Sequence, residues 1–150
     1  MEFLYFEDLT VGRTLQSGPY DVTKDEIIEF ASRWDPQPTH TDEARAQASI
    51  FGGLTASGCH SFAISSVLAK RLPKRIKSVA VLGTDELRFP NPVRPGDQLW
   101  YSCECIEGRP SRSRPTLGII TLRAALRNQI DVPVMTMKTT IMVEKRPPRS

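Results

Sequence analysis

Cysteine is scarce in this chain of 150 residues, which holds only Cys59, Cys103 and Cys105. The count is odd and no Cys-x-x-Cys pair occurs, so neither a disulfide framework nor a zinc site is expected. No apolar run approaches the length of a membrane span, and no segment has the pattern of a signal peptide. We therefore expect a cytoplasmic protein without a metal or a membrane contact, in which Cys103 and Cys105 are small core residues.

A large charge of either sign is also missing, since 20 Lys and Arg against 17 Asp and Glu give a net charge of +3. No aromatic residues alternate with the basic ones, and nucleic-acid binding is therefore not expected. The hydrophobic share of 39% and the charged share of 25% are typical of an ordinary globular protein. This length fits one domain over residues 1–150.

The most informative segment runs from Asp35 to His40 and reads Asp-Pro-Gln-Pro-Thr-His. It places a carboxylate and an imidazole, two common acid–base groups, five residues apart. Each proline disfavours the helical conformation at the residue before it, so we expect an extended turn that carries both groups. The alternative interpretation is an ordinary turn without a catalytic role, because Asp-Pro and Gln-Pro are common turn dipeptides.

Three helices are predicted before the middle of the chain. Thr23-Lys24-Asp25-Glu26 has the form of a capping box and predicts a helix from Thr23 to Trp34, which Asp35 closes at the partly negative end. A second helix is predicted to start at Thr41 and to end at Phe51-Gly52-Gly53. The third, from Ser57 to Ala69, holds no charged residue and is expected to be buried on all sides.

The rest of the chain has the pattern of β-strands. Runs of strand length are separated by turn residues, and they comprise Leu82–Phe89, Leu99–Ile106, Leu117–Leu126 and Val134–Val143. The segment from Thr14 to Val22 is taken only as a short opening stretch. Long antiparallel strands together with one buried helix predict an α+β fold in which a curved sheet wraps around that helix.

Three stretches in register resemble the MaoC-like dehydratases, the (R)-specific enoyl-CoA hydratase branch of the hotdog-fold proteins. Asp35 to Asp42 is similar to the family pattern Asp-x-Asn-Pro-x-His-x-Asp. Phe51 to Gly58 resembles a Phe, a short loop and a small residue followed by Gly before the central helix. Arg88 to Leu99 contains Phe-x-x-Pro-Val-x-x-Gly-Asp-x-Leu. The sequence departs from the family at Gln37, where Asn is usual, at Ser57, where many members have His, and at Trp34, where Gly is frequent.

The resemblance implies a hotdog fold and a reversible addition of water to the 2,3-double bond of an enoyl thioester. It implies that His40 activates the water, that Asp35 is its partner in proton transfer, and that the N–H of Gly58 binds the thioester oxygen. The substrate would be carried by coenzyme A or an acyl carrier protein, with coenzyme A as part of the substrate and no separate cofactor. The resemblance further implies a homodimer or a higher homo-oligomer.

Two other functions stay open on this fold, namely an acyl-CoA thioesterase and a non-catalytic acyl-thioester-binding subunit. The turn from Asp35 to His40 argues against both. Ser66 has a counterpart near the dyad in some family members, but a hydroxyl bonded to the carbonyl one turn back is the favoured interpretation. His60 is expected to be a packed or hydrogen-bonded histidine. A solvated face is likewise favoured over a coenzyme A phosphate site for the basic cluster Lys70–Lys77, and Arg88 and Arg94 are comparable candidates.

Overall fold

A computed structural model describes residues 2–150 of the chain. The strands are β1 (Phe3–Leu4), β2 (Thr14–Asp21), β3 (Arg75–Ile76), β4 (Ser78–Arg88), β5 (Gln98–Pro110), β6 (Leu117–Arg127) and β7 (Pro133–Glu144). The helices are α1 (Lys24–Trp34), α2 (Pro38–Thr41), α3 (Glu43–Gln47) and α4 (Gly58–Lys70), and a single 3-10 turn covers Phe6–Asp8.

Five strands form one antiparallel sheet in the order β2-β5-β6-β7-β4, while β1 and β3 make a small parallel pair. Alternation along β5 and β7 explains which face is inside, because successive side chains of a strand point to opposite sides. Tyr101, Cys103 and Cys105 are buried on one face of β5, and Met135 and Val143 on one face of β7. The prediction that Cys103 and Cys105 are core residues is confirmed, and all three cysteines are free thiols.

The inner face of the sheet packs on α4, whose Ile64 and Leu68 are buried in the same core. Ser17 of β2 donates a hydrogen bond of 2.5 Å to the carbonyl of Leu68 and ties the far end of α4 to the sheet. The predicted wrapping of a curved sheet around a central helix is confirmed. The expectation of burial on all sides is wrong for one stripe of the helix, because Cys59, Ser66 and Val67 are exposed in the single chain.

Three strand predictions need correction. The opening stretch is a full strand, β2, which pairs with β5 from Thr14 to Asp21 and breaks register between Ser17 and Tyr20. Its own residues alternate poorly, because Gly18 and Pro19 interrupt the pattern, and its hydrogen bonds are made with β5. Strand β4 begins at Ser78, four residues before the predicted start at Leu82, and β5 ends at Pro110, four residues after the predicted end at Ile106.

The segment after α1 is extended only as far as Gln37. Pro38 occupies the first position of the short helix α2, where its missing N–H costs nothing and its fixed φ is helical. The predicted second helix from Thr41 is wrong, because Asp42 is extended at φ −133° and separates α2 from α3. Asp42 instead caps α3 by accepting a hydrogen bond of 3.0 Å from the N–H of Arg45. Among residues 2–150, no helix is long and apolar enough to cross a membrane.

Candidate active site

Asp35 and His40 are placed by the ends of two helices. Thr23 caps α1 as predicted by accepting a hydrogen bond from the N–H of Glu26, and Asp35 closes the helix with its own N–H on the carbonyl of Ala31. His40 lies in α2, one turn further along the chain. The two prolines thus bring both side chains to the same end of α1, as the spacing predicted.

The ring of His40 is held in one orientation. Its Nδ1 lies 2.6 Å from the carbonyl oxygen of Thr55 and 3.2 Å from the Thr55 hydroxyl. A carbonyl only accepts, so Nδ1 carries the proton, and in the neutral ring Nε2 presents a lone pair. That Nε2 lies 3.7 Å from Oδ2 of Asp35, too far for a direct hydrogen bond. With side-chain exposures of 13% for His40 and 26% for Asp35, two acceptor atoms face one small, partly sheltered space.

Ser57 belongs to the site, although the sequence indicated it only as a departure from the family pattern. Its hydroxyl donates a hydrogen bond of 2.7 Å to Oδ2 of Asp35 and accepts one of 3.2 Å from the N–H of Cys59. Ser57 is fully buried and is the N-cap of α4. Its capping position before Gly58 could have been found in the sequence, but its bond to Asp35, 22 residues away, could not.

Gly58 is the first residue of α4, and the first N–H groups of a helix have no partner within the helix. His40, Gly58 and Phe89 are among the residues that line a cavity of ≈ 280 Å³, called here the dyad cavity. A Cβ atom at Gly58 would lie 3.0 Å from Cζ of Phe89, so the missing side chain leaves room for that ring. The structure therefore brings Gly58 and His40 to one cavity, with Asp35 beside His40.

A second cavity of ≈ 260 Å³, called here the apolar cavity, lies between α4 and the sheet. It is lined largely by apolar side chains, with hydroxyls and two cations among them: Phe62, Ser65, Ser66, Ala69, Lys70, Leu72, Arg75, Ile76, Ser78, Val81, Thr84, Tyr101, Leu122, Met137, Thr139 and Ile141. Helix α4 and strand β7 contribute to both cavities. On α4 the dyad cavity is lined by Ser61 and the apolar cavity by Ser65, one turn along, and on β7 the two are lined by Val134 and Met137, respectively.

Ser66 and His60 have the structural roles that the sequence favoured. Ser66 donates a long hydrogen bond of 3.4 Å to the carbonyl of Phe62, and its side chain lines the apolar cavity instead of the dyad cavity. His60 is buried and stacks on Phe30 with ring centroids 4.4 Å apart. Its Nε2 lies 3.1 Å from Oε1 of Glu26.

The same carboxylate oxygen of Glu26 accepts a hydrogen bond from the phenol of Tyr20. Burial, reinforced by this bond and by the negative charge of Glu26, raises the pKa of Tyr20 to about 12. Tyr20, Glu26 and His60 thus form a chain that links β2, α1 and α4 behind the site.

Most basic candidates are engaged in structural contacts. Arg94 donates to the carbonyls of Phe51, Gly53 and Leu54 and so fixes the loop before α4. Within the cluster Lys70–Lys77, Arg71 lies over the ring of Tyr20, Lys74 pairs with Glu2, and Lys77 lies over the ring of Phe3. Arg88 is exposed and bonds only to the adjacent carbonyl of Leu87. Lys70 and Arg75 differ from the others because they line the apolar cavity.

Over residues 2–150, no group of three or more His, Cys, Asp or Glu side chains is arranged to hold a metal ion. The groups at the dyad cavity are a carboxylate beside it, an imidazole whose Nδ1 donates to a carbonyl, and the N-terminus of α4. These groups can move protons and bind a developing negative charge.

The chain is similar to several known proteins. The uncharacterized protein YdeM of Bacillus subtilis is 30% identical over 141 residues, covering 93% of this chain and 98% of that protein. An (R)-specific enoyl-CoA hydratase of Rhodospirillum rubrum is 35% identical over 95 residues, covering 62% of this chain and 63% of the hydratase.

The crystal structure of a MaoC-like dehydratase from Rhodospirillum rubrum superposes with a TM-score of 0.88 at 38% identity, covering 97% of this chain and 99% of that chain. This match confirms the hotdog fold that the resemblance implied. The model of the MaoC like domain matches residues 8–125, a stretch that contains β2, all four helices and both cavities' α4 wall. The chain belongs to the MaoC-like domain family.

Proposed function

We propose that this protein is a hydratase or dehydratase that adds water to, or removes it from, the 2,3-double bond of an enoyl thioester. The observation that carries the proposal is the pair of acceptor atoms, Nε2 of His40 and Oδ2 of Asp35, held 3.7 Å apart beside the dyad cavity. The relationship to proteins named MaoC-like dehydratase and (R)-specific enoyl-CoA hydratase supports the same reaction class.

One water molecule can serve both acceptors, because it has two O–H groups and each can be donated to one of them. In the hydration direction the water oxygen forms a bond to C3 of the enoyl group while Nε2 of His40 takes a proton from that water and Asp35 holds the other O–H. The electrons of the double bond move to C2 and the thioester carbonyl. The proton is then returned to C2 on the same face, which adds one water in total and needs no cofactor beyond the carrier of the thioester.

Negative charge builds up on the thioester oxygen during this reaction and must be stabilised. We assign that task to the N–H of Gly58, since it is at the N-terminus of α4 and lines the dyad cavity. A free N–H and the helix dipole both favour negative charge at this position. Removal of one such donor typically costs about a hundredfold in turnover.

The apolar cavity is the proposed site of the acyl chain. It lies further along α4 and β7 than the dyad cavity, and its lining of Phe62, Val81 and Met137 suits a hydrocarbon better than the polar arm of a carrier. Eleven positions separate Gly58 from Ala69, which corresponds to ~16 Å along the helix. This length would admit a medium-length chain carried by coenzyme A or an acyl carrier protein.

Replacing Asp35 by Asn and His40 by Ala, each alone, tests the mechanism. Each change should lower the rate of crotonyl-CoA hydration by roughly a hundredfold or more, because each removes a proton-transfer group. Loss of the enoyl-thioester absorbance without release of free thiol identifies hydration, whereas free thiol identifies a thioesterase. Near-normal hydration by either folded variant would refute the dyad, and absence of both signals would favour a binding subunit.

A homodimer is the proposed assembly. Strand β4 is an edge of the sheet and exposes Val79, Val81 and Leu82 by half or more, an arrangement that favours pairing with a second copy. Sedimentation at micromolar concentration should show a dimer, and Leu82→Lys should shift it toward monomer. Ile130→Lys, at an even more exposed apolar residue that lies in a turn, is the control. A wild-type monomer would contradict the proposal.

A further inference from the structure

Arg75 is one of two cationic residues in the wall of the largely apolar cavity. Its side chain is half-buried, and among the described residues its guanidinium has no hydrogen-bond partner and no ion pair. Lys70 lines the same cavity and contacts only the hydroxyl of Ser78, at 3.4 Å. Partial burial of a guanidinium without an anion is unfavourable, which makes Arg75 a strong candidate for a ligand contact.

No acidic side chain lines the apolar cavity, so the two cations give it a positive charge at one end. Hydroxyls add to this polarity. Thr139 also lines the cavity, and its Oγ1 is buried with no partner among the described residues. A buried hydroxyl without a partner has hydrogen-bonding capacity left for a ligand.

The position of these groups along α4 determines which part of a ligand they can meet. Gly58 and Ser61 line the dyad cavity at the start of the helix, whereas Lys70 is its last residue. The reacting end of the substrate and the two cations are therefore separated by most of the helix, ~18 Å from Gly58 to Lys70. The walls between them carry the apolar side chains of Phe62, Leu72 and other residues.

We infer that the acyl group bound by this protein ends in a carboxylate, which Arg75 and Lys70 hold at the far end of the apolar cavity. The inference rests on the proposed function, since it assumes that the thioester lies at the dyad. An acyl chain with a terminal methyl group would leave Arg75 facing hydrocarbon. A terminal carboxylate supplies the missing anion and can be bound by a guanidinium through two parallel hydrogen bonds. The hydroxyl of Thr139 can donate a hydrogen bond to the terminal carboxylate or to an oxygen substituent on the acyl chain.

The test compares two substrates of equal length, trans-2-tetradecenoyl-CoA and its counterpart with a terminal carboxylate, trans-2-tetradecenedioyl-CoA, whose extended chains match the ~18 Å between Gly58 and Lys70. The wild-type protein should hydrate the carboxylate form with a kcat/KM about tenfold higher or more. Arg75→Gln should abolish that preference, because it should lower kcat/KM about tenfold more for the carboxylate form than for the methyl-ended substrate. Lys70→Gln should reduce the preference in part.

Lys74→Gln is the matched control, because this substitution removes an equal charge one residue away from Arg75. Lys74 pairs with Glu2 and does not line the cavity. It should leave the preference unchanged. Equal kcat/KM values of the wild-type protein for the two substrates would overturn the inference. So would an equal rise in KM for both substrates in Arg75→Gln, because that result would assign the cation to a phosphate of coenzyme A.

Calorimetric binding of the saturated analogues, tetradecanoyl-CoA and tetradecanedioyl-CoA, separates this inference from the proposed function. Preferential binding of tetradecanedioyl-CoA that depends on Arg75, in a protein that hydrates neither substrate, would refute the hydratase and retain the carboxylate site. Hydration of both substrates without preference would do the reverse. Failure to bind tetradecanedioyl-CoA more tightly than tetradecanoyl-CoA would overturn the inference whatever the catalytic result.

Discussion

Ser57→Ala removes a single buried oxygen that makes two hydrogen bonds of different kinds. One is the cap of α4, accepted from the N–H of Cys59 at 3.2 Å, and the other is donated to Asp35 at 2.7 Å. Loss of a serine cap costs about 1 kcal/mol. The bond to a charged acceptor would add about 1.5–3 kcal/mol if fully buried, but Asp35 is 26% exposed and water can replace part of it.

We therefore expect Ser57→Ala to lower the free energy of unfolding by about 1–3 kcal/mol, which corresponds to roughly 2–12 °C in Tm at this size. Turnover should fall more than stability explains. Asp35 would lose a bond that fixes the oxygen facing His40, and small misplacements of a proton-transfer group are costly, so we expect about a tenfold decrease in kcat with little change in KM.

Thr23→Ala provides the matched comparison. Thr23 caps α1 by accepting a bond of 3.2 Å from the N–H of Glu26, and its hydroxyl has no bond to Asp35. It should lose about 1 kcal/mol of stability and keep its turnover. Thermal unfolding and crotonyl-CoA hydration are measured on both variants. Together they show whether Ser57 positions Asp35 or only caps α4. If Ser57→Ala loses only as much as Thr23→Ala and keeps its kcat, then Ser57 is a helix cap with no part in positioning Asp35.

Two further predictions concern the helix N-terminus and the network behind it. Gly58→Ala should lower turnover about tenfold, because its Cβ would enter the dyad cavity 3.0 Å from the Phe89 ring. The double variant Gly58→Ala/Phe89→Ala should still turn over more slowly than the single variant Phe89→Ala. Equal turnover of these two variants would show that the loss in Gly58→Ala comes from displacement of the Phe89 ring. The pKa of Tyr20 is raised from 10.0 to about 12 in the folded protein, so the stabilisation that it gives is complete below pH 10.0 and is lost as pH rises toward about 12. In urea unfolding, Glu26→Gln should weaken that decline, and an unchanged decline would refute the link between the two side chains.

Local chemistry explains why much of the fold could be predicted. The cap at Thr23 and the helical spacing after it set α1, because these interactions join residues within one turn. The strands β6 and β7 were predicted to within one residue of each end, since alternation of apolar and polar side chains is a local signal. Strand β5 was also predicted, but it runs four residues beyond its expected end at Ile106. Strand β2 was missed because a strand with an interrupted pattern depends on its partner for its hydrogen bonds.

The site divides in the same way. Asp35 and His40 are held together by two prolines and one short helix, so their association could be inferred from residues close in sequence. Their orientation could not, because it depends on partners far along the chain: Thr55 binds Nδ1 of His40 across 15 residues, and Ser57 binds Asp35 across 22.

By itself, then, the sequence determined which groups are reactive, where helices and most strands form, and that one uncharged helix enters the core. Only the tertiary structure decided which tautomer His40 adopts and which oxygen of Asp35 faces it. It also decided that Arg75 lies in the wall of an apolar cavity and not, like Lys74 next to it, on a solvated surface. The reason is physical. Propensity and periodicity act over one or two turns, whereas burial, charge pairing and cavity shape arise only when segments distant in the chain pack together.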